Sequence, residues 1–204
     1  MHDILHLRCS PRGAGAFSSR MAEEVVQRLR RHHPDARVVF RDLAATPPPL
    51  VDAGFSAAIL APPGSVPPSL AVSETLIREL EAASALVIAT PMHNYGVPAV
   101  LKAWVDQIVR IHRSFASTPG GKVGTLADRP AWLVVSSGGW FTGPAPSGAP
   151  AQPDFLTPYV RAVLNTIGIR DLRILTLEGM TRGPEIVAAA FARARAKLDE
   201  AAPP

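Results

Sequence analysis

The sequence predicts an α/β fold in which a five-stranded parallel sheet carries helices on both faces, giving a three-layer sandwich. Five short apolar runs, rich in β-branched residues, alternate along the chain with segments whose apolar positions recur at helical spacing. The runs are nearly continuously apolar, which is typical of strands buried on both faces of a sheet. Because crossovers between parallel strands are right-handed, a doubly wound sheet is the favoured arrangement.

The predicted elements follow one another along the chain. The predicted strands cover residues 4–7, 36–40, 85–90, 132–135 and 172–177, and the predicted helices cover 20–31, 70–83, a segment opened by Pro98, 155–167 and 184–198. Ser18 or Ser19 is expected to cap the first helix, and Gly168 is expected to end the fourth.

Three further segments are predicted to lack strands and helices. Residues 43–69 are rich in proline, and residues 113–129 connect a helix to a strand. Residues 141–152 are rich in proline and glycine and resemble a flap that covers a site. With 204 residues, the chain is expected to form one domain, residues 1–204.

The composition excludes several classes of protein. Hydrophobic residues make up 47% and charged residues 19%, which indicates a globular protein and not a disordered one. The single cysteine, Cys9, excludes an intrachain disulfide and a thiolate metal cluster, and the six histidines lack metal-ligand spacing. No apolar run could span a bilayer or serve as a signal peptide, so we expect a cytoplasmic protein without a membrane partner. The net charge of +4 comes mostly from arginines on helix faces, which argues against a nucleic-acid partner.

The loop after the first predicted strand has the features of a phosphate site. It is rich in hydroxyls and small residues and runs into the N-terminus of a helix. Free backbone N–H groups and the helix dipole favour an anion there, and the hydroxyls of Ser10, Ser18 and Ser19 add donors. Arg12 and Arg20 can add positive charge. An ordinary glycine loop with a serine cap has the same pattern, so this loop alone leaves both interpretations open.

Two more polar loops follow the third and fourth predicted strands. In the strand order 2-1-3-4-5, these loops and the first one meet around the switch point of the sheet. Residues 91–95 offer an apolar wall and amide groups, and residues 136–139 offer backbone donors without bulk. One phosphate site beside a flat, polar-edged slot fits a mononucleotide cofactor, and FMN fits better than an adenine dinucleotide.

His93 and Tyr95 are the two groups near this slot that could carry a proton. A histidine in a turn is more often a hydrogen-bonded scaffold than an acid, and solvent can also protonate a product. No catalytic residue is therefore predicted to be obligatory, and no metal ligand is predicted. The predicted cofactor-binding residues are Ser10, Ser18, Ser19, Arg20, Pro91, Met92, His93, Asn94, Tyr95, Ser136, Ser137, Gly138 and Gly139.

A dinucleotide fingerprint is the competing interpretation of the first loop. Gly13-x-Gly15-x-x-Ser18 nearly matches G-x-G-x-x-G, with Asp42 after the second strand as the ribose-binding acid. Against it, Ser10-Pro11-Arg12 separates the first glycine from the strand, and a serine replaces the third glycine. A P-loop is excluded because no G-K-[ST] follows.

Together these motifs resemble the FMN-dependent NADH-azoreductase and NAD(P)H:quinone oxidoreductase family, over nearly the whole chain. The most specific part is Pro91-Met92-His93-Asn94-Tyr95 combined with Ser136 and Gly138-Gly139. Further matches are Asp42-Leu43-Ala44, Leu101-Lys102, Leu156-Thr157-Pro158-Tyr159, Gly168-Ile169 and Glu178-Gly179. The first loop departs from the family pattern: it is two residues longer, and the S-x-S motif reads Ser18-Ser19-Arg20. Arg20 is therefore hypothesised to replace one phosphate-binding hydroxyl.

The resemblance implies a flavodoxin-like domain that binds FMN and takes electrons from NADH or NADPH. In this family the donor reduces the flavin and leaves, and the reduced flavin passes two electrons to a quinone or an aromatic azo compound, a ping-pong mechanism. Family members are homodimers with the site at the interface, so the helix around Trp104 and the 43–69 segment are expected dimer surfaces. The alternative is a redox-sensing module that binds a nucleotide or flavin without turnover.

Overall fold

In a computed structural model, which describes residues 3–60 and 66–201, the predicted α/β sandwich is confirmed. The strands are β1 (Asp3–Arg8), β2 (Arg37–Asp42), β3 (Ala83–Pro91), β4 (Phe115–Thr118), β5 (Gly121–Gly124), β6 (Ala131–Ser136) and β7 (Leu172–Leu177). The helices are α1 (Phe17–His32), α2 (Ala53–Leu60), α3 (Ala71–Ala82), α4 (Ala99–Ile108), α5 (Thr157–Ile167) and α6 (Pro184–Glu200).

The parallel sheet has the order β2-β1-β3-β6-β7, so the predicted order 2-1-3-4-5 of its five strands is confirmed. Its register aligns Arg8 with Ala89 and Pro91 with Ser136. The carboxyl ends of β1, β3 and β6 are therefore neighbours, and the three polar loops leave the sheet side by side.

Successive side chains of the central strands enter two different cores. In β3, Leu86 and Ile88 pack into the core beneath α3, α4 and α5, whereas Ala85, Val87 and Ala89 pack beneath α1 and α6. Because neighbouring residues of a strand point to opposite faces, a strand between two helical layers must be apolar throughout. This double burial explains the continuous apolar runs and fixes the sheet that positions the site.

The prediction that Ser18 or Ser19 caps the first helix is wrong. Helix α1 begins at Phe17, its N-cap is Ala16, and no side chain caps it. The ring of Phe17 packs edge-on against Phe191 of α6, with centroids 6.3 Å apart, which anchors the first turn to the core. Both serines therefore lie inside the first turn.

Two of the three segments predicted to lack strands and helices contain short elements. Residues 43–69 include α2, in which Phe55 alone is buried, so no helical apolar pattern marks it. The Asp52 carboxylate accepts the Phe55 N–H at 2.7 Å and starts this helix. Residues 113–129 include the antiparallel hairpin β4–β5, whose strands are four residues long and mostly exposed.

The predicted end of the fourth helix is confirmed: Gly168 follows α5 with a left-handed φ of 109°. The expectation that the helix around Trp104 forms a dimer surface stays a prediction. Trp104 is 1% exposed and packs into the core of its own chain. In the part of the chain that the structure describes, no helix is long and apolar enough to cross a membrane.

Candidate active site

A cavity of about 220 Å³ lies where β1, β3 and β6 end, at the start of α1. The predicted residues that line it are Ser10, Pro91, Met92, His93, Ser136, Ser137 and Gly138. The three predicted loops thus meet around one space. The loop after β7 closes another side of it through Met180 and Thr181.

The start of α1 forms the anion-binding end of this cavity. Because Ala16 has no side chain that could cap the helix, the first backbone N–H groups of α1 have no side-chain acceptor within the residues that the structure describes. Ser10 is 3% exposed, and its hydroxyl accepts the Arg12 N–H at 3.3 Å. The Arg12 guanidinium lies over the Phe17 ring, 5.6 Å from its centroid. An uncapped helix start beside a serine and an arginine is suited to a phosphate group.

The side chains of Ser18, Ser19 and Arg20 do not line this cavity. Both serines are buried, and neither hydroxyl has a hydrogen-bond partner among the described residues. Ser19 and Arg20 line a separate cavity of about 460 Å³ behind α1, and the Arg20 guanidinium stacks on Phe191, 4.9 Å from the ring centroid. The arginine at the strand-end cavity is Arg12.

A tight two-residue turn follows β3. His93 and Gly96 exchange two backbone hydrogen bonds of 3.0 and 2.9 Å across it. Asn94 and Tyr95 have φ values of 48° and 70°, the left-handed pair that a type I′ turn requires. Asparagine tolerates this conformation, but a tyrosine is strained in it. Such strain persists at functional sites, where the surrounding structure fixes it.

The strained turn is held from two sides. The Met92 N–H donates to the Ser136 carbonyl at 2.8 Å, and the Phe155 N–H donates to the Tyr95 carbonyl at 2.9 Å. Tyr95 is 47% exposed, so its ring is not confined by the core. Neither Asn94 nor Tyr95 lines the 220 Å³ cavity; they extend the site beyond it.

Both glycines after β6 lie close to neighbouring side chains. A Cβ on Gly138 would lie 3.2 Å from Thr181 Cγ2, and a Cβ on Gly139 would lie 2.5 Å from Gln152 Oε1. The Gly139 N–H donates to the Ser137 hydroxyl at 3.2 Å. The absence of a Cβ at both positions lets Thr181 and Gln152 pack against this backbone.

Gln152 is a functional candidate that the sequence reasoning missed. Its Nε2 donates to Ser137 Oγ at 2.9 Å and contacts Met92 Sδ at 3.2 Å, and its backbone N–H donates to the Trp140 carbonyl at 2.8 Å. It joins the end of the 141–152 flap to the loops after β3 and β6. No spacing in the sequence marks this glutamine. Thr181 was also missed, although it follows the Glu178-Gly179 motif closely.

Asp42 does not act as a free ribose-binding acid. Arg8 donates to its Oδ2 at 3.0 Å from Nε and 2.6 Å from Nη2, and the Ala44 and Ala45 N–H groups donate to its Oδ1. Burial raises the pKa of Asp42, but these hydrogen bonds outweigh it and lower the pKa. Asp42 is therefore not available as the ribose-binding acid that the dinucleotide interpretation requires.

Cys9 is fully buried, and burial raises the pKa of its thiol, so it is not a nucleophile.

A family model described as a flavodoxin-like fold matches residues 2–202. The chain belongs to the flavodoxin-like family. Its relatives include FMN-dependent NADH:quinone oxidoreductase 4 of Pseudomonas fluorescens, 46% identical over 198 residues, which are 97% of this chain and 94% of that protein. FMN-dependent NADH:quinone oxidoreductase 2 of Cupriavidus pinatubonensis is 44% identical over 200 residues, which are 96% of this chain and 95% of that protein. The resemblance seen in the motifs is confirmed.

Solved structures of the flavodoxin-like family share the fold. An azoreductase from Bacillus anthracis superposes with a TM-score of 0.80 at 24% identity, covering 98% of this chain and 100% of that chain. An FMN-dependent NADH-azoreductase of the same species, solved in complex with FMN, gives a TM-score of 0.78 at 20% identity and covers 98% of both chains.

Proposed function

We propose that this protein is an FMN-dependent oxidoreductase that uses NADH or NADPH to reduce quinones and aromatic azo compounds. One observation of the structure carries the proposal: the uncapped start of α1 opens, beside Arg12, into the cavity lined by the loops after β3 and β6. Full-length relatives named FMN-dependent NADH:quinone oxidoreductases support the choice of cofactor, donor and acceptor.

The polar groups of the cavity fit FMN. Its phosphate needs N–H donors and positive charge, and the first turn of α1, the Ser10 hydroxyl and Arg12 supply both. Ser18 and Ser19 would contribute backbone N–H groups and not hydroxyls. Met92 to Tyr95 and the 136–139 loop would hold the ring, with Pro91 and Ser136 at the ends of their strands.

When bound, FMN accepts a hydride equivalent and passes on two electrons. The chain supplies position and electrostatics. The Asn94 amide would fix one edge of the ring, and the N–H groups of Asn94, Tyr95 and Gly138 would stabilise negative charge on the reduced ring. His93 and Tyr95 could each hold a proton, and neither is obligatory because the site is open to solvent. A single open site favours a ping-pong order, in which the donor leaves before the acceptor binds.

The exposed apolar side chains support a homodimer. Leu50 and Leu60 of the 43–69 segment are 79% and 80% exposed, and Phe155, whose N–H binds the Tyr95 carbonyl, is 65% exposed. Exposed apolar surface of this kind marks interaction sites. In a dimer, Phe155 and Tyr95 would place the flavin ring at the interface. A Leu50→Glu variant that sediments like the wild-type protein would contradict this role of the segment.

The flavin spectrum of the purified protein tests the function. We expect a yellow protein whose flavin absorbance is bleached by NADH under anaerobic conditions and restored by a quinone. Apoprotein that cannot be loaded with FMN would refute the proposal. A flavin that binds but is not bleached by either nicotinamide donor would favour the redox-sensing alternative.

A further inference from the structure

A second cavity of about 450 Å³ lies between the flap and the start of α6. It shares Gly139 and Gln152 with the loops of the proposed flavin site, and Trp140, Arg182 and Ile186 line its other sides. Its volume falls in the range of small-molecule sites. A ligand that crosses Gly139 would reach both cavities.

The tryptophan in this cavity is held in a fixed place. Gly179 has a left-handed φ of 72°, and a Cβ there would lie 2.7 Å from Trp140 Cζ2 and 2.8 Å from Ile186 Cγ2. Only a residue without a side chain allows this close packing. Glu178 fixes the start of the flap just after Trp140, because its carboxylate accepts hydrogen bonds from the N–H groups of Phe141 and Thr142 at 2.6 and 2.8 Å.

The cavity also carries a cation that is free to bind an anion. The Arg182 guanidinium lies 5.9 Å from the centroid of the Trp140 ring and is exposed. Within residues 3–60 and 66–201, no carboxylate lies at ion-pair distance from it. Arg173 and Arg195, by contrast, pair with Asp171 and Glu24.

We propose that this cavity binds the adenylate half of the dinucleotide donor, with the adenine on Trp140 and a phosphate at Arg182. The inference rests on the proposed function, since it assigns part of the donor to a place beside the flavin loops. An aromatic ring and an arginine are what a flat aromatic group bearing a negative charge requires. A sulfonated azo acceptor has the same chemistry, so the test must separate donor from acceptor.

Direct binding is measured by titrating the FMN-loaded protein with 5′-AMP while tryptophan fluorescence is recorded. Trp104 and Trp132 are 1% and 2% exposed, so Trp140 is the most exposed of the three tryptophans. We expect saturable quenching in the wild-type protein that is lost in Trp140→Phe and shifted to higher AMP concentrations in Arg182→Gln. Arg193→Gln, an exposed arginine on α6, is the matched control and should leave the titration unchanged.

The kinetic test compares NADH with reduced nicotinamide mononucleotide, which lacks the adenylate. In anaerobic reduction of the flavin, Arg182→Gln and Trp140→Ala should lower kcat/KM for NADH roughly tenfold, and should change the value for the mononucleotide by less than about twofold. Trp140→Phe keeps an aromatic ring and should lose less, which provides a second variant if Trp140→Ala does not fold.

Two results would overturn this assignment. Equal losses with both donors would mean that the cavity does not recognise adenylate. A loss of kcat/KM confined to a sulfonated azo dye, with NADH and a neutral quinone unaffected, would mean that the cavity binds the acceptor. Failure of the wild-type protein to bind FMN or to be reduced by the mononucleotide would instead refute the proposed function, so the two failures are distinguishable.

Discussion

Two regions of the molecule use the same chemical groups in opposite ways. One is the charged cluster between α3 and the end of α4, and the other is the cavity at the strand ends. In the cluster, Glu74 is 7% exposed and binds Arg110 at 2.9 Å and Arg113 at 3.0 Å. Arg110 also donates to the Ser73 hydroxyl at 3.0 Å, which in turn donates to the Gln107 carbonyl at 2.6 Å. Each of these polar groups has a partner within the chain.

In the strand-end cavity the partners are absent from the described part of the chain. Among the described residues, the start of α1 has no capping side chain, and Arg12 contacts the face of an aromatic ring and no carboxylate. Unsatisfied polar groups cost free energy. Unpartnered donors beside a cavity indicate a ligand there, whereas the paired cluster only holds helices together. The two regions should therefore respond oppositely to substitution.

The largest expected effect is on stability, at Glu74. Replacing Glu74 with glutamine leaves the buried Arg110 without its anion and leaves Arg113 with Glu81 alone, and should lower the free energy of unfolding by about 3 to 5 kcal/mol. Urea denaturation measures this loss. The control is Glu81→Gln, whose side chain is 41% exposed and should cost less than about 1 kcal/mol. Both variants should bind FMN as the wild-type protein does, and weaker binding would break the contrast.

The same cluster should make the fold sensitive to acid. Hydrogen bonds from Arg113 and Arg110, which outweigh the opposing effect of burial, lower the pKa of Glu74 from 4.5 to about 2. A carboxylate with a lowered pKa contributes stability above its unfolded pKa and loses it as the pH falls through the folded value. The free energy of unfolding should therefore fall between about pH 4.5 and pH 2, and fall less in Glu74→Gln. Equal slopes for both proteins would contradict this cause.

At the cavity, Arg12→Gln should weaken ligand binding and leave stability unchanged. A hydrogen bond to a charged group contributes about 1.5 to 3 kcal/mol, so the Kd for FMN should rise about 10- to 100-fold. The free energy of unfolding of the apoprotein should change by less than about 0.5 kcal/mol. Arg30→Gln, an exposed arginine near the other end of α1, serves as the control in flavin titrations. A destabilised Arg12 variant with normal FMN affinity would reverse our assignment of the two regions.

The smallest expected effect is at the strained turn. Asn94→Gly removes the amide and also relieves the left-handed backbone at φ 48°. The free energy of unfolding should stay equal or rise by up to about 1 kcal/mol, while turnover with NADH and a quinone falls. Chemical denaturation and steady-state kinetics on the same preparation check both parts. Undiminished turnover would mean that the Asn94 amide does not touch the ring.

The sequence predicted the sheet and the three loops because each depends on a local pattern. Leu86 and Val87 are buried in opposite cores, so the strand must be apolar throughout. Pro91 and Gly168 end a strand and a helix through their own backbone preferences. It failed where tertiary contacts decide. Helix α1 begins at Phe17, which packs on Phe191, and the serine side chains that follow it do not line the cavity. Gln152 reaches Ser137 and Met92 only because the flap folds back over them.

The central claim is that the unpartnered groups at the start of α1 bind a phosphate. It is tested most directly by comparing the affinity of the apoprotein for FMN and for riboflavin, which has the same ring and no phosphate. We predict that FMN binds at least ~100-fold more tightly, and that Arg12→Gln reduces the difference. Equal affinities for FMN and riboflavin would contradict the claim, because the start of α1 would then contribute nothing to cofactor binding.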